Sequence, residues 1–258
     1  MFRGRSLLME PMRLQKALAL AGVASRRTAE ALINEGRVTV NGHPVDKMGM
    51  LVEPGHDMIS VNGQPVSFNA PPLTLMLNKP AGTICSANPD QGKTVFDLLI
   101  GIKERLFTIG RLDKESEGLL LLTNNGDLAN RLTHPRYEHQ KIYEVTVGWR
   151  VSPSALRQLG QPVIIDDKPT LPATVTLIGW NPREQSTTLR FVLREGRNRQ
   201  IRRLCEAAGL RIRRLIRTQV GALTLGNLKP GAFRPLTRQE LATLTDGDDH
   251  PAGRIPNE

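Results

Sequence analysis

Apolar residues near the start of the chain recur at the three- and four-residue spacing of one helix face. Four of them predict a first helix within residues 12–22: Leu14, Ala17, Leu18 and Ala21. A second helix is predicted over residues 26–35, with Ser25 as its N-cap and Gly36 just beyond its end. These positions predict two short helices.

The hydrophobic period then changes to the alternation of short strands. Residues 37–40 alternate and run into Asn41-Gly42, a strong hairpin signal. The same order of strand and turn returns at residues 57–61 and Asn62-Gly63. The pattern therefore predicts two helices plus a small hairpin, a first domain over residues 12–66.

The strongest hydrophobic signal is the run Leu119-Leu120-Leu121-Leu122. Such a run is typical of a strand buried on both faces or of a short buried helix. It follows a charged loop, residues 110–118, in which Asp113 stands near the start. A rigid buried element beside a loop is how folds commonly present catalytic groups. A solvated loop before a core strand explains the same spacing.

Strands alternate with short helices over the rest of the chain, and this alternation predicts an α+β fold. The larger domain is expected over residues 73–245, as a mixed, mainly antiparallel sheet. A proline-containing linker, residues 67–72, separates it from the first domain. Residues 246–258 are polar, with Gly and Pro, and are expected to be a disordered tail.

Two further features of the larger domain stand out. Residues 141–147 alternate as a strand and place Tyr143 on its more apolar face, where the hydroxyl needs a partner. Ten arginines lie from Arg190 to Arg217 and are opposed only by two glutamates. Residues 198–208 look helical, and three of these arginines can share one helix face: Arg199, Arg202 and Arg203.

The net charge of the chain limits the classes of partner that it is expected to bind. Lys and Arg number 35 against 25 acidic residues, a net charge of +10 and a pI near 10.2, which favours nucleic acid or an acidic membrane surface. No apolar run has the length of a membrane span or signal peptide. The two cysteines match no metal spacing and fit a reduced cytoplasmic protein, and no phosphate-loop or dinucleotide motif is present.

If the substrate is RNA, the aspartate, the arginines and the tyrosine described above can act in one reaction. A carboxylate such as Asp113 can act as a nucleophile at a sugar carbon or as a general base. A buried carboxylate needs a cationic partner, and an arginine cannot lose its charge. A base lifted from its stack needs a flat surface, which Tyr143 would offer.

The first domain resembles the S4 RNA-binding module. The matching motifs are Arg13-Leu14-Gln15-Lys16, Gly22-Val23-Ala24-Ser25-Arg26-Arg27 and Gly36-Arg37-Val38-Thr39-Val40-Asn41-Gly42. The resemblance implies that RNA is contacted by six residues: Arg13, Lys16, Ser25, Arg26, Arg27 and Arg37. Basic residues at helix starts suit phosphates, although a solvated basic helix pair shows the same pattern.

The larger domain is similar to pseudouridine synthases. The matching motifs are Leu77-Asn78-Lys79-Pro80-Ala81-Gly82, Gly110-Arg111-Leu112-Asp113, Ser116-Glu117-Gly118-Leu119, His134-Pro135-Arg136-Tyr137, Lys141-Ile142-Tyr143, Glu195-Gly196-Arg197-Asn198-Arg199-Gln200-Ile201-Arg202-Arg203-Leu204 and Leu215-Ile216-Arg217-Thr218-Gln219-Val220-Gly221. Ser116 stands where the family commonly has threonine, so a hydroxyl is kept. With an S4 module in front, the order matches enzymes that modify ribosomal RNA, and the details look most like the B-type enzymes that act on the large subunit.

The resemblance implies roles for individual residues. Asp113 corresponds to the obligatory aspartate, which attacks the ribose C1′ or supports a glycal route. Tyr143 corresponds to the tyrosine that stacks on the target base, and Arg202 to the basic residue that pairs with the aspartate. Arg111 would enter the stack that the base has left, and Leu215 would pack against the base. Three more basic residues are expected at the substrate: Lys79, Arg199 and Arg203.

The expected function is isomerisation of uridine to pseudouridine in ribosomal RNA, with 23S as the expected target. A small-subunit 16S target and a catalytically idle S4 assembly factor are the alternatives. A nuclease would need metal carboxylates or a His pair that the sequence lacks. No metal or organic cofactor is implied, and a cytoplasmic monomer without membrane contact is the default expectation.

Overall fold

The computed structural model describes three stretches of the chain: residues 10–45, 47–134 and 139–245. These residues form two compact units. The first holds the described residues up to Leu73 together with Lys103–Leu106 and Asn124–Gly126, and the second holds the others. Both combine helices with strands, so the predicted α+β class is confirmed. The tail predicted at residues 246–258 lies outside the described residues.

The two helices of the first unit begin and end close to the predicted positions. They are α1 (Leu14–Leu20) and α2 (Arg26–Asn34). The Ser25 hydroxyl accepts a hydrogen bond from the Thr28 amide at 3.0 Å, which satisfies one of the unpaired amides at the start of α2. Gly36 has a φ of +67°, the left-handed conformation that ends many helices.

The strands of the first unit form two small sheets. They are β1 (Met12–Arg13), β2 (Val38–Val40), β3 (His43–Pro44), β4 (Leu51–Val52), β5 (Ile59–Val61) and β6 (Gln64–Pro65). Asn41-Gly42 and Asn62-Gly63 close two hairpins, with positive φ at all four residues. Pairing of β2 with β5 joins the hairpins into a four-stranded sheet, more than the small hairpin predicted, and β1 pairs with β4.

From Thr74 onward a large sheet dominates. The strands are β7 (Thr74–Lys79), β8 (Phe107–Ile109), β9 (Glu117–Thr123), β10 (Lys141–Gly148), β11 (Ile164–Ile165), β12 (Lys168–Pro169), β13 (Thr174–Asn181), β14 (Ser186–Leu193), β15 (Ile212–Val220), β16 (Leu223–Thr224) and β17 (Phe233–Pro235). The helices are α3 (Gly126–Thr133), α4 (Pro153–Leu159), α5 (Gln200–Ala207) and α6 (Arg238–Thr245), with single 3₁₀ turns at Pro89–Gln91 and Phe96–Leu98.

Nine of these strands form one sheet within the described residues. Its order is β13-β14-β10-β15-β9-β7-β17, with β8 on β9 and β16 on β15. The predicted leucine run is the buried strand β9, and its four leucines are at most 1% exposed. In β10 the predicted alternation is confirmed, because Tyr143, Val145 and Val147 are all buried. No helix of the described chain is long and apolar enough to cross a membrane.

Helix α5 starts two residues later than predicted. Arg199 has a φ of +50° and forms the N-cap instead of continuing the helix. A left-handed conformation is uncommon for a residue with a side chain, and it turns the backbone away from the helical path. The spacing predicted that Arg199 lies within the helix, whereas it is the residue just before the first turn.

The two halves of the large sheet meet where β9 runs parallel to β15. Glu117 pairs with Ile216 and Gly118 with Arg217. A Cβ built on Gly118 would lie 2.3 Å from the Arg217 carbonyl oxygen, and its φ is +102°. Only glycine allows this approach at that conformation. We call the contact between these two strands the parallel seam.

We expect Gly118→Ala to lower the free energy of unfolding by roughly 3 kcal/mol or more, because the methyl group would overlap backbone atoms at an unfavourable φ. Urea unfolding measures the change. Gly126→Ala is the control, since a Cβ there meets nothing within 4 Å and its φ lies outside the left-handed region. Equal stability of the two variants would show that the seam is looser than described.

Candidate active site

The loop that carries Asp113 is fixed to its surroundings by backbone hydrogen bonds. It connects β8 to β9. The Ser116 amide donates to the Asp113 carbonyl at 3.0 Å, and the Gly82 amide donates to the Lys114 carbonyl at 2.8 Å. The Leu112 amide donates to the Cys85 sulfur at 3.4 Å. These bonds hold the position of the Asp113 backbone.

Two arginines from the middle of the arginine-rich segment meet the Asp113 carboxylate. Arg202 Nε lies 3.4 Å and Arg199 Nη1 lies 3.7 Å from Asp113 Oδ2. The Asp113 side chain is 32% exposed and that of Arg202 only 17%. Arg202 also donates to the Ser116 hydroxyl at 3.1 Å. Charge-assisted contacts of this kind orient the carboxylate, while its partial exposure leaves it accessible to a ligand.

Asp113 opens into a cavity of about 550 Å³. Tyr143 and Leu215 line it as well, from the neighbouring strands β10 and β15, where Leu215 pairs with Val145. Both side chains are buried, at 8% and 5% exposure. The cavity therefore has a carboxylate on one side and an aromatic and an aliphatic surface on another. A planar group with an attached sugar matches this combination.

The other predicted substrate residues occupy different places. Arg111 is exposed and lines the cavity, and so does Arg199. Arg203 does not line it, and its guanidinium donates to the Asn198 side chain at 3.3 Å. Arg203 therefore lies outside the cavity lining, and its contact with an RNA substrate stays a prediction.

Lys79 departs furthest from its prediction. It is fully buried, and its ammonium donates to the carbonyl oxygens of Pro80, Lys114 and Ser116 at 3.1, 3.3 and 2.7 Å. Burial lowers the pKa of Lys79, while nearby acidic groups oppose the shift. Lys79 thus anchors the Asp113 loop through hydrogen bonds to its carbonyl oxygens. The predicted contact of Lys79 with substrate does not fit this buried position.

Sequence reasoning assigned no role to two residues that the structure brings to the cavity, Lys141 and Arg217. Arg217 is 4% exposed and donates to the Leu119 carbonyl at 2.7 Å, across the parallel seam. Burial and the charge of Arg217 lower the pKa of Lys141. Both residues belong to motifs of the sequence. The local pattern does not show that they reach the cavity, because distant strands bring them there.

The predicted RNA contacts of the first unit divide in two groups. Arg13, Arg26 and Arg27 are exposed, the last two in the first turn of α2. Arg37 is exposed but engaged, with Glu35 at 2.9 Å and the Asn62 side chain at 2.8 Å.

The other two residues predicted to contact RNA are Lys16 and Ser25. Lys16 is half-buried, and the Ser25 hydroxyl is occupied as a helix cap. Ser25 therefore shapes the start of α2, and its contact with RNA stays a prediction.

Of the motif His134-Pro135-Arg136-Tyr137, the last three residues lie outside the described chain, whereas His134 lines the cavity. Among the described residues, no group of three or more His, Cys, Asp or Glu side chains could hold a metal ion.

Family comparisons match both parts of the chain. Residues 74–207 match the family of RNA pseudouridylate synthases, and residues 12–59 match the S4 domain. These segments contain Asp113, Tyr143 and Arg202 on one side and the α1–α2 pair on the other.

Related proteins are similar over nearly the whole chain. The ribosomal large subunit pseudouridine synthase B of Bacillus subtilis is 42% identical, over 92% of this chain and 97% of its own length. An uncharacterised RNA pseudouridine synthase of Aquifex aeolicus is 40% identical, over 92% and 94%. The dual-specificity RNA pseudouridine synthase RluF of Shigella flexneri is 37% identical, over 90% and 78%. A crystal structure of a pseudouridylate synthase superposes with a TM-score of 0.65 at 27% identity, over 90% of this chain and 99% of that one.

Lys79→Met should lower the free energy of unfolding by roughly 1–3 kcal/mol at neutral pH, because buried carbonyl groups lose their charged donor. The folded pKa of Lys79 lies below the unfolded value near 10.5, so the unfolded chain binds more protons between the two values. The wild-type protein therefore gains stability relative to the variant as the pH rises through that window.

Urea unfolding at several pH values measures both effects. Lys114→Met is the matched control, because Lys114 is exposed in the same loop. If the Lys79→Met protein is as stable as the Lys114→Met protein, Lys79 does not stabilise the Asp113 loop as described.

Proposed function

Because the chain belongs to the family of RNA pseudouridylate synthases, we propose that it isomerises specific uridines of ribosomal RNA, with large-subunit RNA as the substrate. The reaction class follows from the family. The choice of ribosomal RNA is supported by the name of the Bacillus relative, which is 42% identical and aligns with 97% of its own length. The positive charge of the chain, +10, agrees with a polyanionic substrate.

The observation that carries the proposal is the arrangement around Asp113. Its Oδ2 lies 3.4 Å from Arg202 Nε at the edge of a cavity that Tyr143 and Leu215 also line. A uridine extruded from its RNA stack would place its base between the tyrosine ring and the leucine side chain, and its ribose towards the carboxylate.

The reaction needs no net change of atoms. The bond between ribose C1′ and uracil N1 breaks, the base rotates, and a bond forms between C1′ and C5. The proton on C5 is lost and one is gained at N1. Asp113 assists by bonding to C1′ or by removing a proton from the ribose to give a glycal. Arg202 holds the carboxylate in place for either route, and Ser116 fixes Arg202.

RNA would be held by both parts of the chain. We take residues 12–66 as an S4 module and residues 73–245 as the catalytic domain. Arg26 and Arg27, exposed at the start of α2, are placed to meet phosphates together with the helix amides. Arg111, exposed at the cavity, would occupy the gap that the extruded base leaves.

We expect Asp113→Asn to abolish pseudouridine formation, by at least about 1,000-fold, while RNA binding persists, because the amide is neither a nucleophile nor a base. Product is measured by chemical mapping of pseudouridine and binding by filter retention. Glu115→Gln is the matched control, since Glu115 is an exposed carboxylate in the same loop, outside the cavity. A normal rate for Asp113→Asn would refute the proposed role.

Deletion of the gene should remove one or a few pseudouridines from 23S ribosomal RNA and leave the 16S pattern unchanged. Mapping of both RNAs from deletion and wild-type cells tests this, and expression of the Asp113→Asn protein serves as the control. Loss of a 16S position would move the substrate to the small subunit. Unchanged maps of both RNAs would favour an assembly factor without activity.

A further inference from the structure

Both tryptophans of the chain lie at one end of the large sheet. Trp149 follows the end of β10, and Trp180 lies near the end of β13. The Trp149 amide donates to the Gln185 carbonyl at 2.8 Å, and its own carbonyl accepts from the Thr187 hydroxyl at 2.7 Å. One bond attaches Trp149 to the turn between β13 and β14, and the other attaches it to β14, the strand that pairs with Trp180.

The two indole rings are presented differently. Trp149 is 66% exposed and has a φ of +69°. A bulky residue rarely adopts this conformation, and here the two hydrogen bonds of its backbone hold it, so the ring stays directed away from the core. Trp180 is half-buried, and the Arg150 guanidinium carbon lies 5.3 Å from its ring centroid. That distance is within the range of a cation–π contact.

Arginines lie on the chain segments next to the two tryptophans. The start of β15 lies beside Trp149, since the Gly148 amide donates to the Arg211 carbonyl at 3.0 Å. The Arg213 guanidinium packs over Gly148, where its Nε would be 3.3 Å from an added Cβ, and it donates to the Glu184 carbonyl. We call this set the tryptophan surface. It consists of Trp149, Arg150, Trp180, Arg183, Arg211 and Arg213.

The tryptophan surface is separate from the active site. None of its six residues lines the cavity around Asp113. Trp149 follows Tyr143 by six positions along β10, so about 20 Å separate them along an extended strand. Its four arginines face one glutamate in the same segments, Glu184. An exposed indole near arginines is a combination with which proteins bind unpaired nucleotides, by stacking and phosphate contact.

We propose that the tryptophan surface binds a second, single-stranded segment of the substrate RNA. A base stacks on Trp149, and Arg150, Arg211 and Arg183 meet the neighbouring phosphates. This assignment rests on the proposed function, in that the ligand is RNA. It adds a contact that would favour substrates in which unpaired nucleotides lie beside the target uridine.

The chain contains only two tryptophans, so its intrinsic indole fluorescence comes only from this surface. Addition of a ten-nucleotide oligouridine to the full-length Asp113→Asn protein should quench the emission along a saturable curve. Filter retention under the same conditions reports total binding. Retention without quenching would overturn the proposal, whether or not the protein proves to be a pseudouridine synthase.

Trp149→Gly removes the ring and suits the left-handed backbone. With a 23S transcript as substrate, it should raise KM roughly 5-fold or more at unchanged kcat. Ile100→Ser is the matched control, because Ile100 is an exposed apolar side chain outside the surface. An unchanged KM for Trp149→Gly would overturn the proposal, whereas a wild-type protein without product would overturn the proposed function instead.

The double variant Arg150→Gln, Arg211→Gln keeps both rings and tests the phosphate contacts. Its oligouridine affinity should depend less steeply on salt, with a log–log slope smaller by about 1.4 for two lost contacts to a single strand. Thermal unfolding checks that the variant is folded. A slope equal to that of the wild-type protein would count against the arginines of this surface.

Discussion

The parallel seam is the contact on which the rest of the catalytic unit depends. It is where the β13-β14-β10-β15 half of the sheet joins the β9-β7-β17 half. Gly118 permits the backbone approach, Arg217 donates across it to the Leu119 carbonyl, and Arg214 adds a two-point contact to Glu117 at 2.8 and 2.9 Å. Asp113 precedes one strand of the seam and Leu215 lies in the other. The seam therefore sets the distance between the carboxylate and the apolar wall of the cavity.

The arginines of the arginine-rich segment make several different kinds of contact, which cannot be told apart from composition alone. Arg202 and Arg199 meet Asp113, Arg214 pairs with Glu117, and Arg217 is buried in the sheet. Buried or paired guanidinium groups hold their geometry because each hydrogen bond to a carboxylate or carbonyl fixes a planar fork. Exposed arginines of the segment, such as Arg190 and Arg211, remain as candidates for phosphate contacts.

Local patterns predicted much of the fold. Ser25 and Gly36 delimit α2, the Asn-Gly pairs close hairpins, and four leucines form a buried strand, because each signal acts through neighbours in the chain. Contacts between residues far apart in the chain could not be predicted from local sequence patterns. Nothing near Lys79 in sequence shows that its ammonium meets the carbonyl of Ser116, and nothing near Gly118 reveals the strand beside it. Motif resemblance brought Asp113, Tyr143 and Arg202 to one site, whereas Arg203 and Lys79 lie away from it because rotation of a helix and burial are tertiary properties.

The buried ammonium of Lys79 has a consequence for the chemistry of the folded protein. A lysine with a lowered pKa yields its neutral, nucleophilic amine more readily, which in an exposed position would make it a preferred target of acylating reagents. Full burial reverses that expectation, since no reagent reaches the nitrogen until the surrounding loop separates from β7. The rate at which Lys79 becomes acylated therefore reports how often the loop that carries Asp113 opens transiently.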